Sequence, residues 1–346
     1  MQAQGTQRAN SRQALIDTIT FSDWLIEAMS MDLRQIQYFA TLFEDGSVTR
    51  ASKRLNIVQP ALSMQISRLE EELQLRLFER GRQGMTPTAA GHRMYRLFTP
   101  ILRDIANARE QLIRDGDQVT GHVSIGLIAS ITESVLSSCL SRFADRHPQV
   151  EVTVADGYSA TLIDWVMGGQ IDAAIINRPR GRLALDMKPL LDEEMVLVTG
   201  SSFGRELPRT IELARVAELD LVLTTKRHGL RGVIETHAQH EDVLLTPRFE
   251  IDSLSSLVSF VEATRYATIL PRIAVQRGLR QGRLRAYPIV APRIVRHVTL
   301  ISHPRRPLSP AAQALMGLFA EEIQRVAHPA DTENSMPAPT LEGDMQ

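Results

Sequence analysis

Between Val48 and Leu73 the chain reads VTRASKRLNIVQPALSMQISRLEEEL, two amphipathic segments either side of a break at Asn56 to Gln59. In the first segment Val48, Ala51 and Leu55 place the apolar positions within about two helical turns. In the second, Leu62, Ile66, Leu69 and Leu73 recur at the spacing of one buried helical face. Pro60 suits the first turn of that helix, where a missing N–H costs nothing. Upstream, Ile36, Phe39, Ala40 and Phe43 mark another helix with one buried face. Asp45-Gly46 closes it, because glycine takes the left-handed residue past a helix end, and Ser47 caps the next.

Turning about 100° per residue from the apolar stripe leaves Pro60, Ser63, Met64, Ser67 and Arg68 on the outer face of the third helix. A short positioning helix, a tight turn and a longer helix with a small, polar outer face suit insertion into a DNA major groove. Small residues permit close approach, while Gln59, Ser63 and Arg68 can reach base edges or phosphates. Ser47, Thr49, Arg50, Lys53 and Arg54 on the positioning helix join this expected DNA face. The following LRLFERGRQGMTPT reads as a hairpin wing around Gly81 and Gly84, with Arg80 and Arg82 placed for the backbone or minor groove and Thr88 at its end. The acids Glu70, Glu71 and Glu72 gather at the far end of the third helix, so the basic face stays one-sided. Any helical trio with a polar surface fits the same spacing.

Met94, Phe98, Ile101, Ile105, Ala108 and Leu112 then repeat in alternating steps of four and three, a heptad seam that argues for a helix paired with its copy. Thr88 caps its start, and Pro100 inside it removes a backbone hydrogen bond and predicts a kink. A single long helix packed on its own domain is the alternative.

From Gly121 the pattern changes to strands separated by helices, which predicts a mainly parallel sheet covered on both sides. HVSIGL, VEVTV and IDAAII are strands, with helices from about Thr132 to Arg146 and over SATLIDWVMGG. A second series begins at EEMVLVTG and runs through LDLVLTT, RFEID and ATIL to VTLIS and a last helix from Ser309. Two such sheets joined near Leu191 to Glu194, with a return near Ala291 to Arg293, make a bilobed domain with a cleft. Ligands of such sheets sit at strand carboxyl ends, against helix N-termini. Three such turns are polar: IASIT with Ser130 and Thr132, DGYSA with Tyr158 and Ser159, and TTKRHGLR with Lys226, Arg227, His228 and Arg231. Cations in the last turn point to a small anionic effector, a carboxylate. Each position also fits a helix cap without ligand or a solvated cationic face.

Several function classes fall away. Lys+Arg (39) and Asp+Glu (40) balance to −1, so the whole-chain field favours no nucleic acid and the case rests on local pattern. Cys139 alone excludes an intramolecular disulfide and a Cys-rich zinc site, and its apolar setting reads as a core thiol. No apolar run reaches membrane-span length and residues 1–30 lack a signal peptide's pattern, so a cytoplasmic protein is expected, with no membrane partner. His237, His240 and Glu241 lie at an exposed helix end without a further ligand, so no metal site is expected. G-x-S-x-G, P-loop and G-x-G-x-x-G are absent, so neither an enzyme nor a cofactor is expected.

The run from Met31 to Gly91 resembles the winged helix-turn-helix of the LysR-type transcriptional regulators. Ala51, Leu55, Gln59, Pro60, Ala61, Leu62, Ser63, Gln65, Ile66, Leu69, Glu70 and Leu73 stand in register with that family's signature, followed by Leu77, Phe78, Arg80, Thr88, Ala90 and Gly91. Ser52 replaces the usual second alanine of the positioning helix. Met64 stands where the family usually has arginine, which removes a cation from the outer face. The C-terminal two thirds resemble the family's effector domain, itself similar to a periplasmic solute-binding protein.

The resemblance implies an α/β fold class with an N-terminal winged helix-turn-helix over 31–88, a long linker helix for dimerisation over 89–118, and a bilobed effector domain over 119–328. Lobe I is expected over 119–191 and 292–328, lobe II over 192–291, with an N-terminal extension at 1–30 and a disordered acidic tail at 329–346. It also implies Ser130, Thr132 and Ser159 as pocket lining, and as partners double-stranded promoter DNA, a small effector, RNA polymerase and further copies of the chain in a homodimer or homotetramer, on the nucleoid. The TTKRHGLR turn is similar to the subgroup resembling the nitrogen assimilation control protein. A cytoplasmic small-molecule-binding protein whose heads serve dimerisation only is the second reading.

Overall fold

A computed structural model describes residues 31–81, 84–113, 119–179 and 181–328. The expected extension at 1–30, the expected tail at 329–346 and Arg82 lie outside the described residues. The chain divides into two compact units, the first ending at Ala106 and the second starting at Asn107.

In the first unit α1 (Leu33–Asp45), α2 (Val48–Arg54) and α3 (Gln59–Leu73) are followed by the hairpin strands β1 (Phe78–Gly81) and β2 (Gly84–Pro87), then by α4 (Ala89–Ile113). A capping box opens α1: Asp32 accepts from the backbone of the first turn, and Gln35 accepts the Asp32 N–H at 3.0 Å. Gly46 ends α1 at φ 58, and Ser47 caps α2. Phe39, Leu42, Ala51, Leu62, Ile66, Leu69, Leu77 and Phe78 form one core. The wing is fixed to α3 by the buried Glu70, whose Oε1 accepts from Leu77 N at 2.7 Å and Phe78 N at 3.1 Å. At Gly84, φ is 120 and an added Cβ would stand 2.5 Å from Gly46 O, so only glycine lets the wing lie this close to the turn after α1.

The expected seam on α4 needs a correction. Met94 is buried in the core of its own unit, so it is not available to a second chain, and Phe98 is half-buried against that core. Ile101 and Ile105 are exposed, together with Leu97, which the heptad reading omitted. Ala108 is exposed as well, and the side chain of Leu112 lies outside the described residues.

The second unit is built on one eight-stranded sheet in the order β4-β3-β5-β12-β6-β11-β7, with β10 also on β6. The strands are β3 (Gly121–Leu127), β4 (Val150–Asp156), β5 (Ala173–Asn177), β6 (Asp186–Gly200), β7 (Ile211–Glu212), β10 (Ala267–Pro271), β11 (Leu284–Val290) and β12 (Val295–Ser302); β8 (Val222–Leu223) and β9 (Phe249–Glu250) pair separately. The sheet is mixed and not mainly parallel. β3 runs parallel to β4 and β5, and β11 to β7, whereas β12, β11 and β10 meet β6 antiparallel and β12 meets β5 antiparallel. The reason is β6, which runs unbroken for 15 residues through the place read as a joint, so the returning β12 lies beside it in the opposite sense.

Two apolar cores flank this strand. One gathers α5 (Ala129–Arg146), α6 (Ser159–Met167) and α11 (Pro310–Ala327); the other gathers α7 (Leu213–Val216), α8 (Gly229–His240), α9 (Leu254–Ala263) and part of α10 (Arg272–Arg280). α5 begins three residues before the expected start, because Ile128 in extended conformation already precedes helical Ala129.

Arg296 on β12 is fully buried. Its Nε and Nη2 donate to Glu193 Oε2 at 3.0 and 2.8 Å, and its Nη1 donates to Ser130 Oγ at 2.8 Å and Asn177 Oδ1 at 3.4 Å. Glu193 Oε1 accepts from Ile273 N at 2.6 Å. Burial pushes the guanidinium's pKa down, and Glu193 opposes that by pairing with the charge. Removing one partner leaves an uncompensated buried charge. Glu193→Ala is therefore expected to destabilise the second unit by about 3–5 kcal/mol, measured as the shift of its urea transition in the full chain. The double variant Glu193→Met/Arg296→Met should lose clearly less.

Candidate DNA-reading face and effector cleft

Helix α3 turns Gln59, Pro60, Met64, Ser67 and Arg68 to solvent, with Ser63 half-buried. On α2, Thr49, Arg50, Lys53 and Arg54 are exposed. Two of these cations are already engaged. Arg54 Nη1 lies 2.7 Å from Glu44 Oε2 and 3.6 Å from Asp45 Oδ1, and Arg50 donates to the Asp45 carbonyl. The Glu44 hydrogen bond and charge raise the Arg54 pKa further. Exposed pairs of this kind are weak, so a phosphate can replace Glu44. Lys53 and Arg68 hold no ion pair among the described residues. Lys53 also borders a surface groove with Val58, Pro60 and Ser63.

Two residues expected at DNA also hold structural bonds. Ser47 Oγ is used as the α2 cap. Thr88 Oγ1 donates to Arg76 O at 2.6 Å and accepts from Gly91 N at 3.1 Å, tying the wing's end to the start of α4. Arg80 lies opposite Met85 in the wing ladder, and its side chain is outside the described residues.

In the second unit two neighbouring cavities, of about 710 and 580 Å³, share Tyr158, Ser159, Asn177 and Gly229 in their walls. The larger is lined by Arg178, Arg227, His237, Arg296 and His297, with Glu235 as its acid. The smaller is lined by Glu133, Asp156, His228 and Asp252. The N-termini of α5, α6, α8 and α9 all reach its wall, because Ala129, Ser159, Gly229 and Leu254 line it. At Gly229 an added Cβ would come within 2.9 Å of Asn177 Nδ2, so glycine is what lets the start of α8 approach β5.

The Tyr158 hydroxyl crosses the smaller cavity to donate to Asp252, whose other oxygen accepts from the Thr225 hydroxyl. These bonds pull the Asp252 pKa down, and the carboxylate in turn pushes the Tyr158 phenol up. Burial pushes Glu133 up. Cys139, buried in the first core, is pushed up to about 12 by burial and stays a thiol.

Of the residues expected at this cleft, Tyr158, Ser159 and His228 line it. Ser130 is buried and its Oγ already accepts from Arg296. Thr132 donates toward Asp156 Oδ1 at 3.2 Å and lines neither cavity. Lys226 is exposed outside both. Arg231, read as a cation facing ligand or solvent, is buried and paired with Glu235 at 2.8 Å and Glu250 at 3.0 Å. Unforeseen members include Asn177, Arg178, Asp252 and Arg296. Arg178 follows the carboxyl end of β5, a place the general rule for parallel strands already marks. Arg296 sits inside a strand with nothing local to single it out.

Residues 33–92 match the family described as bacterial regulatory helix-turn-helix protein, lysR family, and residues 116–324 match the LysR substrate binding domain. The chain is 30% identical over 299 residues to the nitrogen assimilation regulatory protein nac of Klebsiella aerogenes, covering 85% of this chain and 96% of that one. Full-length OxyR from Pseudomonas aeruginosa has a similar fold (TM-score 0.67, 23% identity, 86% of this chain and 97% of that chain). So does full-length CbnR in complex with its target DNA (TM-score 0.62, 20% identity, 86% and 100%). The chain belongs to the LysR family of transcriptional regulators, with a DNA-binding head and a substrate-binding domain. That family consists of regulators and not enzymes. Among the described residues no helix is long and apolar enough to cross a membrane.

His228 caps α8 by accepting from Leu230 N through Nδ1 at 3.3 Å, which requires that nitrogen unprotonated. Burial lowers its pKa, with Arg296 acting the same way and Asp252 and Asp156 opposing. With a folded pKa below the unfolded one, the unfolded chain binds the proton first as pH falls, and stability is lost below about pH 6.5. The second unit's melting temperature should therefore drop between pH 7 and 5. His228→Asn, which keeps a capping acceptor but does not titrate, should flatten that drop.

Proposed function

We propose that the outer face of α3 reads promoter DNA while the cleft of the second unit holds a small anionic effector that controls it. The observation that carries the DNA part is the exposed row Gln59, Pro60, Met64, Ser67 and Arg68, small or polar but for Met64, on a helix whose other face is core. Lys53 and Arg68 supply phosphate contacts, with Arg50 and Arg54 joining as their bonds to Asp45 and Glu44 exchange. The effector's carboxylate sits in the larger cavity, where Arg178 and Arg227 are exposed and hold no ion pair among the described residues.

Exposed Leu97, Ile101 and Ile105 on α4 pair two copies into a dimer, and dimers pair into a tetramer. Ligand in the cleft shifts the population between two assembly shapes, changing the spacing of the heads and so their contact with RNA polymerase. A ligand that binds both shapes equally shifts nothing. The protein acts in the cytoplasm, on the nucleoid.

The test is binding of the full-length protein to the DNA upstream of its own gene over a range of salt. The logarithm of affinity should fall linearly with the logarithm of salt concentration. Lys53→Ala and Arg68→Ala should each reduce the slope by about one. A flat response would remove DNA from the account and leave the cleft as the protein's sole function.

A further inference from the structure

The outer row of α3 carries a large apolar side chain at its centre. Met64 lies one helical turn after Pro60 and one before Arg68, and it is 49% exposed. Its neighbours on that face, Ser63 and Ser67, are small, so nothing on the helix covers the thioether and nothing keeps a partner away from it. The stripe that binds α3 to its own core, Leu62, Ile66 and Leu69, is complete without it.

A methionine at this place has no N–H or O–H to give a phosphate oxygen or a base edge. The one apolar group on the major-groove base edges is the C5-methyl of thymine. We infer that Met64 is a specificity-determining residue that selects a thymine in the bound sequence by packing its side chain on that methyl. This rests on α3 being the DNA-reading helix. Ser63 and Ser67 let the backbone come close enough for the contact, and Arg68 anchors the same face to phosphate. Val58, 68% exposed at the start of α3, is a second apolar group that a thymine methyl could meet. It precedes Met64 by more than a turn, and the experiment has to separate the two.

Sequences bound by the full-length protein are first selected from a random duplex pool. The selected site is then titrated with each thymine replaced in turn by uracil, which lacks only the methyl. One replacement in each half-site should weaken binding roughly fourfold, the worth of one buried methyl-sized group. Met64→Ala should bind the thymine and uracil sites equally, and Met64→Arg should exchange the thymine preference for guanine. Being on the surface, these variants keep the wild-type melting temperature. Uracil tolerated at every position overturns the inference, as does a uracil penalty that persists unchanged in Met64→Ala, whether Val58→Ala or Pro60→Ala removes it. If no sequence is enriched from the pool, the DNA-reading role of α3 fails and the inference fails with it.

Discussion

In the larger unit one buried charge, Arg296, gathers Glu193, Ser130 and Asn177 around it. Arg296 is fully buried, and the protein groups that meet its donors bring β12, β6, β5 and the first turn of α5 to one point. Glu193 supplies the countercharge and extends the network to the start of α10 through Ile273 N. Buried pairs of this kind add little net stability compared with apolar packing, but they penalise any arrangement that separates the partners. The cost of a shifted register here is a charge without a partner. The walls that carry Asn177 and Ser159 are thereby held in one place, which a ligand site needs.

The smaller unit solves the same problem with Glu70. Its carboxylate reaches out of α3 to two backbone N–H groups at the start of the wing and so fixes one side of the wing to that helix. Gly84 against Gly46 closes the other side of the wing. Both units thus use a buried charged group for geometry. In the cleft, the Tyr158 to Asp252 bond joins walls from the two cores, so a ligand entering the smaller cavity must work around it or replace it.

The head is legible in the sequence to single residues, since the apolar period of α1 and α3, the glycine after α1 and the serine cap are all local signals. Where the reading went astray, a long-range partner decided the outcome. Met94 fits a heptad seam, yet the head's own core lies nearer and takes it. Arg231 stands in a cationic turn, but Glu250 reaches it from β9, beside Glu235 one turn on in its own helix. The sheet looked mainly parallel because helices separate its early strands. The long β6 hides its length behind Pro189 and a run of acids, and the sense of β12 is set by pairing between positions as far apart in the chain as Val295 and Glu194. Arg296 had no signal at all, because a buried arginine in a strand is explained only by what surrounds it.

A DNA-binding head and a substrate-binding domain are joined in one regulator of the LysR family. The proposed function depends most on sequence selectivity from the outer face of α3. The most direct measurement is sequencing of fragmented genomic DNA of the source organism retained by the purified full-length protein at near-physiological salt, in parallel with a variant carrying Gln59→Ala and Ser63→Ala. The account predicts enrichment at a few partly palindromic upstream sites with the wild-type protein and loss of that enrichment with the folded variant. Identical retention by both proteins, or none by a folded and oligomeric wild type, would contradict it.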